Sequence, residues 1–177
     1  MEGGLKARGA RSAARSASLA LEQADALSCV PGPVLVAIDL SLQSSAALLW
    51  ACRHAEKFGA QVIVLHVLYD PPEAPGKYNR RKGKNIVPMV DAASEMLAEF
   101  MAAARRQHPD IMPLSVAQEL VVRGLPPSTI IEQATKCQAS LIVVASRAEG
   151  LLPRLMHGST AQQLVRLSSI PITVIKD

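Results

Sequence analysis

Residues 139 to 160, ASLIVVASRAEGLLPRLMHGST, constrain the fold more than any other stretch of the chain. The run LIVV at 141–144 is short and rich in β-branched residues, which predicts a strand buried on both faces, as in a parallel sheet. A polar turn around 149–150 follows, and Gly-Ser-Thr at 158–160 predicts the start of a helix. Doubly wound folds hold phosphate where a buried strand leads through a loop to a helix N-terminus, because free N–H groups and the positive helix end attract anions.

The size and composition of the chain favour one globular domain. Its 177 residues are 49% apolar and 19% charged, but only 3% aromatic, so the core must be aliphatic. The net charge of +4 favours anionic partners. Aromatic residues do not alternate with the basic ones as in a nucleic-acid stacking surface, and no apolar run approaches the ~20 residues of a transmembrane helix. Neither nucleic acid nor a membrane is therefore expected as a partner.

The cysteines and histidines show no ligand spacing. Cys29, Cys52 and Cys137 are odd in number and contain no CxxC pair, which argues against a disulfide framework and a zinc site. The four histidines are scattered over different predicted elements. We therefore expect no metal site and a reducing compartment, which indicates the cytoplasm.

Residues 1–31 differ in kind from the rest of the chain. They are rich in Ala, Ser, Gly and Arg and show no strand pattern, which favours a mobile N-terminal extension with a short helix over 14–27. Glu22 and Asp25 argue against a secretory signal, whereas the early Arg and Ser leave a transit peptide open as an alternative. The packed domain is expected over residues 32–177.

A strand, a helix and a second strand open this domain. The apolar run 34–38 predicts the first strand, with Asp39 at its C-terminal end. Ser41 to Ser45 predict a helix start, and Gly59 predicts the end of that helix. The run 62–67 predicts the second buried strand.

The connection over residues 69–87 contains the most basic segment of the chain. Pro71, Pro72, Pro75 and Gly76 exclude regular structure at its start. The segment KYNRRKGK at 77–84 then predicts either a clamp for phosphate or a solvated, disordered loop, and we prefer the loop because blocks of like charge are usually mobile.

The second half of the chain continues the alternation of strands and helices. The apolar spacing predicts helices over 88–108, 126–136 and 158–168, and strands over 114–122, 141–144 and 171–175. Five strands alternating with four helices indicate an open parallel α/β sheet. The motifs GxGxxG, GxxxxGK[ST], HExxH and GxSxG are absent, which argues against most redox enzymes, P-loop NTPases and hydrolases.

Residues 33–176 resemble the universal stress protein family. The resemblance lies in VLVAIDLS, VIVLHVL, VVRGLPPSTIIEQA and LIVVASRAEGLLPRLMHGSTAQQLVRLSSIPITVIK. It implies an open five-stranded parallel sheet in the order 3-2-1-4-5 with helices on both faces, Rossmann-like and of the adenine-nucleotide alpha hydrolase type. Members are usually dimers, and many of them, but not all, bind ATP. The implied cofactor is ATP, alone or with Mg²⁺.

Two residues depart from the glycine pattern of the nucleotide-binding members, which is G-x-x-G, nine residues, then G-[S/T]. Gly158-Ser159 match the last pair, but Ala145 and Ala148 stand where the first two glycines are expected. An alanine held at positive φ would cost about 1 kcal/mol or more, whereas at negative φ Ala145 only adds a methyl group.

The resemblance also implies which residues bind the nucleotide. Asp39 and Ala37 would face the adenosine, Val67 would line the adenine pocket, and Arg147 and Arg154 would neutralise charge. Asp39 has an equally plain alternative role, the capping of the following helix. The complete set of expected nucleotide-binding residues is Ala37, Asp39, Val67, Val144, Ala145, Arg147, Ala148, Gly158, Ser159 and Thr160.

The function that these residues imply is an ATP-binding stress-response module. No residue is placed as a general base, so we do not expect an enzyme, although slow ATP hydrolysis or autophosphorylation stays open. The first alternative is a non-nucleotide member that acts through dimerisation, because Ala145 and Ala148 replace the loop glycines. An adenylyl-transfer enzyme is disfavoured because HxGH and SGGxDS loops are absent. The apolar final strand is expected to pair with a second copy into a homodimer, with protein partners of unknown identity. The alternative is that Lys176 and Asp177 keep this edge from pairing, and we prefer the dimer.

Overall fold

Seven strands and five helices make up the described part of the chain. The computed structural model describes residues 32–69, 79–82, 85–146 and 160–176. The predicted N-terminal extension, its alternatives and the loop 147–159 therefore lie outside the described residues. In chain order the elements are β1 (Val34–Ile38), α1 (Leu42–Phe58), β2 (Val62–Tyr69), β3 (Asn79–Lys82), β4 (Asn85–Pro88), α2 (Met89–Gln107), α3 (Met112–Ser115), β5 (Gln118–Gly124), α4 (Pro126–Lys136), β6 (Leu141–Ala145), α5 (Thr160–Leu167) and β7 (Ile172–Ile175).

Five of the strands form the main sheet in the order β5-β2-β1-β6-β7. Every neighbouring pair in this sheet is parallel. Counted along the main sheet alone, this is the order 3-2-1-4-5, so the predicted fold class is confirmed. In the register of the sheet, Ala37 of β1 lies level with Leu65 of β2 and Val144 of β6.

Two aliphatic clusters cover the sheet, one on each face. The uninterrupted apolar runs of β1, β2 and β6 send alternate side chains to opposite faces, so both faces need cover. Helices α1, α2 and α3 cover one face, here called the α1/α2 face, through residues such as Leu48, Leu97 and Leu114. Helices α4 and α5 cover the other, here called the α4/α5 face, through Ile130 and Leu164.

Helix α1 begins and ends as its sequence predicts. Ser41 is the N-cap, and its side chain accepts a hydrogen bond from the backbone N–H of Ser44. Gly59 adopts the left-handed conformation at the C-terminal end, with φ of 66°, and its N–H bonds back to the last turn.

Two of the predicted elements differ in the structure. The third strand of the main sheet begins at Gln118 rather than at residue 114, because 112–115 form the one-turn helix α3, with Pro113 in its first turn. The interpretation of 77–84 as a disordered loop is wrong for β3, which pairs antiparallel with β4. The Pro and Gly residues that exclude regular structure end at Gly76, so the chain beyond them can pair locally.

No helix in the described ranges is both long and apolar enough to cross a bilayer.

Candidate functional site at the carboxyl ends of β1 and β6

Strands β1 and β6 meet where the order of the sheet reverses. From β1 the chain proceeds to β2 on one side, whereas β6 pairs with β1 on the other side. In open α/β sheets, ligands bind outside the carboxyl ends of the strands at such a switch point. The residues that follow β1, and those that end β6, therefore form the candidate site.

A hydrogen-bonded group of polar side chains occupies the tip of β1. The Oδ1 atom of Asp39 accepts hydrogen bonds from the N–H of Ser41 at 3.1 Å, from the hydroxyl of Ser41, and from the hydroxyl of Ser44 at 2.6 Å. The N–H of Asp39 in turn donates to the Ser44 hydroxyl at 3.0 Å. Asp39 is exposed, while Ser44 is buried. Asp39 thus reinforces the cap that Ser41 provides, and it holds its carboxylate at the mouth of the switch point.

The residue after Asp39 has an unusual backbone conformation. Leu40 has a φ of 63°, in the left-handed region that residues other than Gly and Asn rarely adopt. Its side chain nevertheless packs against the core of the α1/α2 face. Strain held by packing at a strand tip is common at binding sites, because the surrounding contacts fix the backbone there.

Three of the predicted site residues share one face of the sheet. Ala37, Val67 and Val144 all belong to the α4/α5 face, on β1, β2 and β6 respectively. Ala37 lies on the central strand of the three and has the smallest side chain. Its small, half-buried side chain lies level with Leu65 of β2 and Val144 of β6, near the tips of the strands.

Ala145 lies on the opposite face from these three residues. Its side chain packs against the cluster of the α1/α2 face. It belongs to strand β6, and among the described residues only Leu40 and Gln138 are non-glycine residues with positive φ. Alanine in place of glycine at position 145 therefore causes no backbone strain, and its methyl group lies on the other face of the sheet from Ala37.

The remaining predicted residues divide into one that the structure describes and four that it does not. Thr160 is exposed and begins helix α5, which follows β6 in the chain. Arg147, Ala148, Gly158 and Ser159 lie outside the described residues, as does Arg154.

His66 is a neighbour of the site that the sequence did not single out. Its Nδ1 atom lies 3.0 Å from the carbonyl oxygen of Ile38, the residue before Asp39. Because a carbonyl oxygen only accepts, Nδ1 carries the proton in this contact. The imidazole thus links the tips of β1 and β2. The only signal in the sequence was the position of His66 one residue before Val67.

A cavity of about 200 Å³ lies at the other end of the sheet, near the amino ends of β2 and β5. It offers little chemistry, because its ammonium group, Lys136, is already paired with Glu132 at 2.7 Å. Burial also raises the pKa of its thiol, Cys137. The lining residues are Leu35, Ile63, Gln118, Leu120, Gln133, Lys136 and Cys137.

Comparison with known proteins identifies the family. A family model described as the universal stress protein family matches residues 32–176. The chain belongs to the universal stress protein family. The predicted family is therefore confirmed, and the matched range coincides with the part of the chain that carries the sheet.

A universal stress protein of Mycobacterium tuberculosis is 32% identical to this chain over 151 residues, which are 80% of the chain. The chain spans about half of that relative's length, 47%. Two solved universal stress proteins share the fold. One, in complex with cAMP, has a TM-score of 0.60 and 20% identity, covering 83% of this chain and 98% of its own. The other, from Archaeoglobus fulgidus in complex with dAMP, has a TM-score of 0.54 and 22% identity, covering 83% and 99%.

Proposed function

We propose that this universal stress protein binds an adenine nucleotide, ATP in the first place, at the carboxyl ends of β1 and β6. It would act as a stress-response module rather than as a fast enzyme. The observation that carries the proposal is the placement of the small Ala37 side chain two residues before the hydrogen-bonded carboxylate of Asp39, at the switch point of the sheet. The flat adenine ring needs an apolar surface, and the rest of a nucleotide needs a few fixed polar groups.

The position of Ala145 supports the proposal against its alternative. The alternative holds that alanines in place of glycines have closed the site. Ala145 has no backbone strain, and its side chain lies on the α1/α2 face, away from Ala37. One of the two residues that the alternative requires, Ala145, is therefore directed elsewhere, while the other, Ala148, lies outside the described residues.

The complexes of related proteins support the choice of an adenine nucleotide. The two solved universal stress proteins described above were obtained with cAMP and with dAMP. Both ligands contain adenine, and neither contains a triphosphate. The adenosine half of the site is thus the better supported part of the proposal. Mg²⁺ would come with a triphosphate, since proteins hold this ion with one or two carboxylates together with substrate phosphates.

The test is a titration of the purified full chain with ATP by calorimetry, preceded by an absorbance check for nucleotide that co-purifies. We expect binding below millimolar ATP, and AMP binding as well. No binding at millimolar concentrations of either nucleotide would overturn the proposal and leave the non-nucleotide regulatory module.

A pair of variants locates the binding site. Ala37→Leu adds bulk on the face of the sheet that Ala37 shares with Val67 and Val144, so we expect it to weaken nucleotide binding at least about tenfold. Ala104→Leu makes the same change at a half-buried position of α2 on the opposite face, and it should leave the affinity unchanged. Equal affinities in both variants would exclude this site even if ATP binds elsewhere.

We further propose a homodimer that forms through β7. Within the part of the chain that the structure describes, β7 pairs with β6 alone, and its four residues, ITVI, are half-exposed and uncharged. An apolar edge of this kind favours pairing with another strand. The free thiols of Cys52 and Cys137 support a reducing compartment, and hence the cytoplasm.

A further inference from the structure

Three aromatic rings form a ladder along the surface of α1. The ring centroids of Trp50 and His54 are 5.0 Å apart, and those of His54 and Phe58 are 4.7 Å apart. Trp50 is 37% exposed and Phe58 is 55% exposed. The whole chain contains one Trp and two Phe, so two of its three largest apolar side chains stand partly in solvent. The residues Trp50, His54 and Phe58 are called the aromatic ladder below.

The ladder lies on the flank of α1 that faces away from α2. Cys52 marks the opposite flank, because it is fully buried in the same cluster as Leu97 and Met101 of α2. Successive residues of an α-helix are about 100° apart, so Trp50 lies about 200° from Cys52 around the helix. Helix α1 packs over β1 and β6, and α2 packs over β2 and β5. The flank away from α2 is therefore the flank toward β7.

Within the described residues, the edge of β7 beside this ladder has backbone groups without a strand partner. Pro171 and Ile175 direct their carbonyl groups at β6, where they accept from Ile142 at 2.9 Å and from Ser146 at 2.7 Å. Because successive residues of a strand direct their N–H and C=O groups to opposite sides, Ile172 and Val174 direct theirs outward. On the other face of the sheet, two apolar side chains of α5 are exposed: Val165 is 61% exposed and Leu167 is 66% exposed. Apolar side chains thus stand on both sides of an open strand edge.

We propose that the aromatic ladder is the part of the homodimer interface that closes the α1/α2 face, with the ladder of one copy facing that of a second copy. The inference rests on the proposed dimer through β7. Two identical edges pair antiparallel about a two-fold axis perpendicular to the sheet, which places both copies of α1 on the same face.

The spacing of the sheet explains why this flank carries aromatic residues. With α1 centred between β1 and β6, four strand spacings of about 4.8 Å separate the two copies of α1, or about 19 Å. A helix with its side chains is about 10–12 Å across, so a gap of roughly 8 Å stays open above the paired β7 strands. Only large side chains from both copies can fill it, and the stacking of the rings fixes them at low entropic cost.

The single tryptophan of the chain allows a direct test. Trp50 emission and its quenching by acrylamide are measured on the full chain through a dilution series, with sedimentation velocity on the same samples. We expect the emission to shift to the red and the quenching to rise as the dimer dissociates. Phe58→Glu retains the reporter and should raise the dissociation constant at least about tenfold. Leu42→Glu, at an 85% exposed position of the same helix, is the matched control and should change neither readout.

The two proposals fail in different ways. A chain that sediments as a monomer at every concentration would overturn the dimer and this inference with it. A dimer whose Trp50 emission does not depend on concentration, and whose affinity Phe58→Glu leaves unchanged, would overturn the ladder alone. Burial of Trp50 in a sample that sediments as the monomer would also overturn it, since a second copy would then not be the cover.

Discussion

Strands β5 and β7 are the two outer strands of the same sheet, yet they differ in charge and in cover. Strand β5 carries Glu119 and Arg123, and Glu119 pairs with Arg105 of α2 at 2.9 Å. Strand β7 carries no charged residue over Ile172–Ile175. Charged residues and a covering helix are two of the ways in which proteins keep an edge strand from pairing. The difference teaches that β5 is protected against association, whereas β7 is suited to it.

Val174→Pro is the strongest test of this difference. Proline removes an N–H that points away from β6, and proline is tolerated on an edge when its N–H side faces solvent. We expect the fold to persist and the dimer dissociation constant to rise at least about 100-fold, which corresponds to about 3 kcal/mol. Sedimentation equilibrium measures it.

The control for that experiment is Val174→Thr, which keeps both the N–H group and the β-branched shape. It should dimerise like the natural chain. If Val174→Pro folds and dimerises as tightly as Val174→Thr, the β7 edge is not the interface.

We expect the end of β5 to tolerate substitution poorly, because of local backbone geometry and crowding rather than edge pairing. Gly124 has a φ of 150°, and a Cβ atom there would lie 2.2 Å from Oγ1 of Thr129. We expect Gly124→Ala to lower the free energy of unfolding by at least about 2 kcal/mol, measured by urea denaturation, without changing the dimer affinity. The double change Gly124→Ala with Thr129→Ala should recover only part of the loss, since the backbone strain remains. Full recovery would show that crowding alone constrains this position.

The sheet could be predicted from the sequence because local and global signals agree in it. The apolar runs of β1, β2 and β6 have one interpretation as buried parallel strands, and Ser41 and Gly59 bound α1 as expected. The predicted start of β5 was wrong because Leu114 extends the apolar pattern of the strand toward the N-terminus. In the structure, Leu114 belongs to the one-turn helix α3, which has Pro113 in its first turn. A short apolar segment does not distinguish these two structures.

The candidate site was only partly predictable. The face shared by Ala37, Val67 and Val144 follows from strand alternation and the strand order. The contact of His66 with the Ile38 carbonyl could not be predicted, because it depends on two residues 28 positions apart lying level in the sheet. The left-handed conformation of Leu40 carries no sequence signal either, since leucine is a poor residue for it.

The two flanks of α1 differ as well, because one is buried and the other carries the exposed aromatic ladder. Cys52 is fully buried on the flank opposite the aromatic ladder, and burial raises the pKa of its thiol from 9.0 to about 12, with the Glu56 carboxylate contributing. The pKa of the thiol is higher in the folded chain than in the unfolded chain. The contribution of the neutral, buried thiol to the free energy of unfolding is therefore complete below about pH 9 and is lost as the pH rises toward 12. We expect the natural chain to lose about 1 kcal/mol more than Cys52→Ala between pH 8 and pH 10 in urea denaturation. Equal losses would mean that the thiol ionises in the folded protein.

The smallest expected effect concerns the ion pair that covers β5. Arg105 and Glu119 have side chains 33% and 26% exposed, so solvent screens their attraction, and a double-mutant cycle to alanine should give a coupling of about 0.5–1 kcal/mol. Arg105→Ala alone should cost more than Glu119→Ala, because the Nε atom of Arg105 also donates to the Leu114 carbonyl at 3.1 Å.

The same variants decide what protects the β5 edge. If charge on the strand is the protection, Glu119→Ala should sediment with species larger than a dimer, since both edges of the sheet could then pair. If it stays a dimer while Arg105→Ala does not, the cover provided by α2 matters more than the charge. If both stay dimers, the two edges differ mainly because β7 attracts a partner through its apolar surface, and the aromatic ladder becomes the feature that distinguishes them.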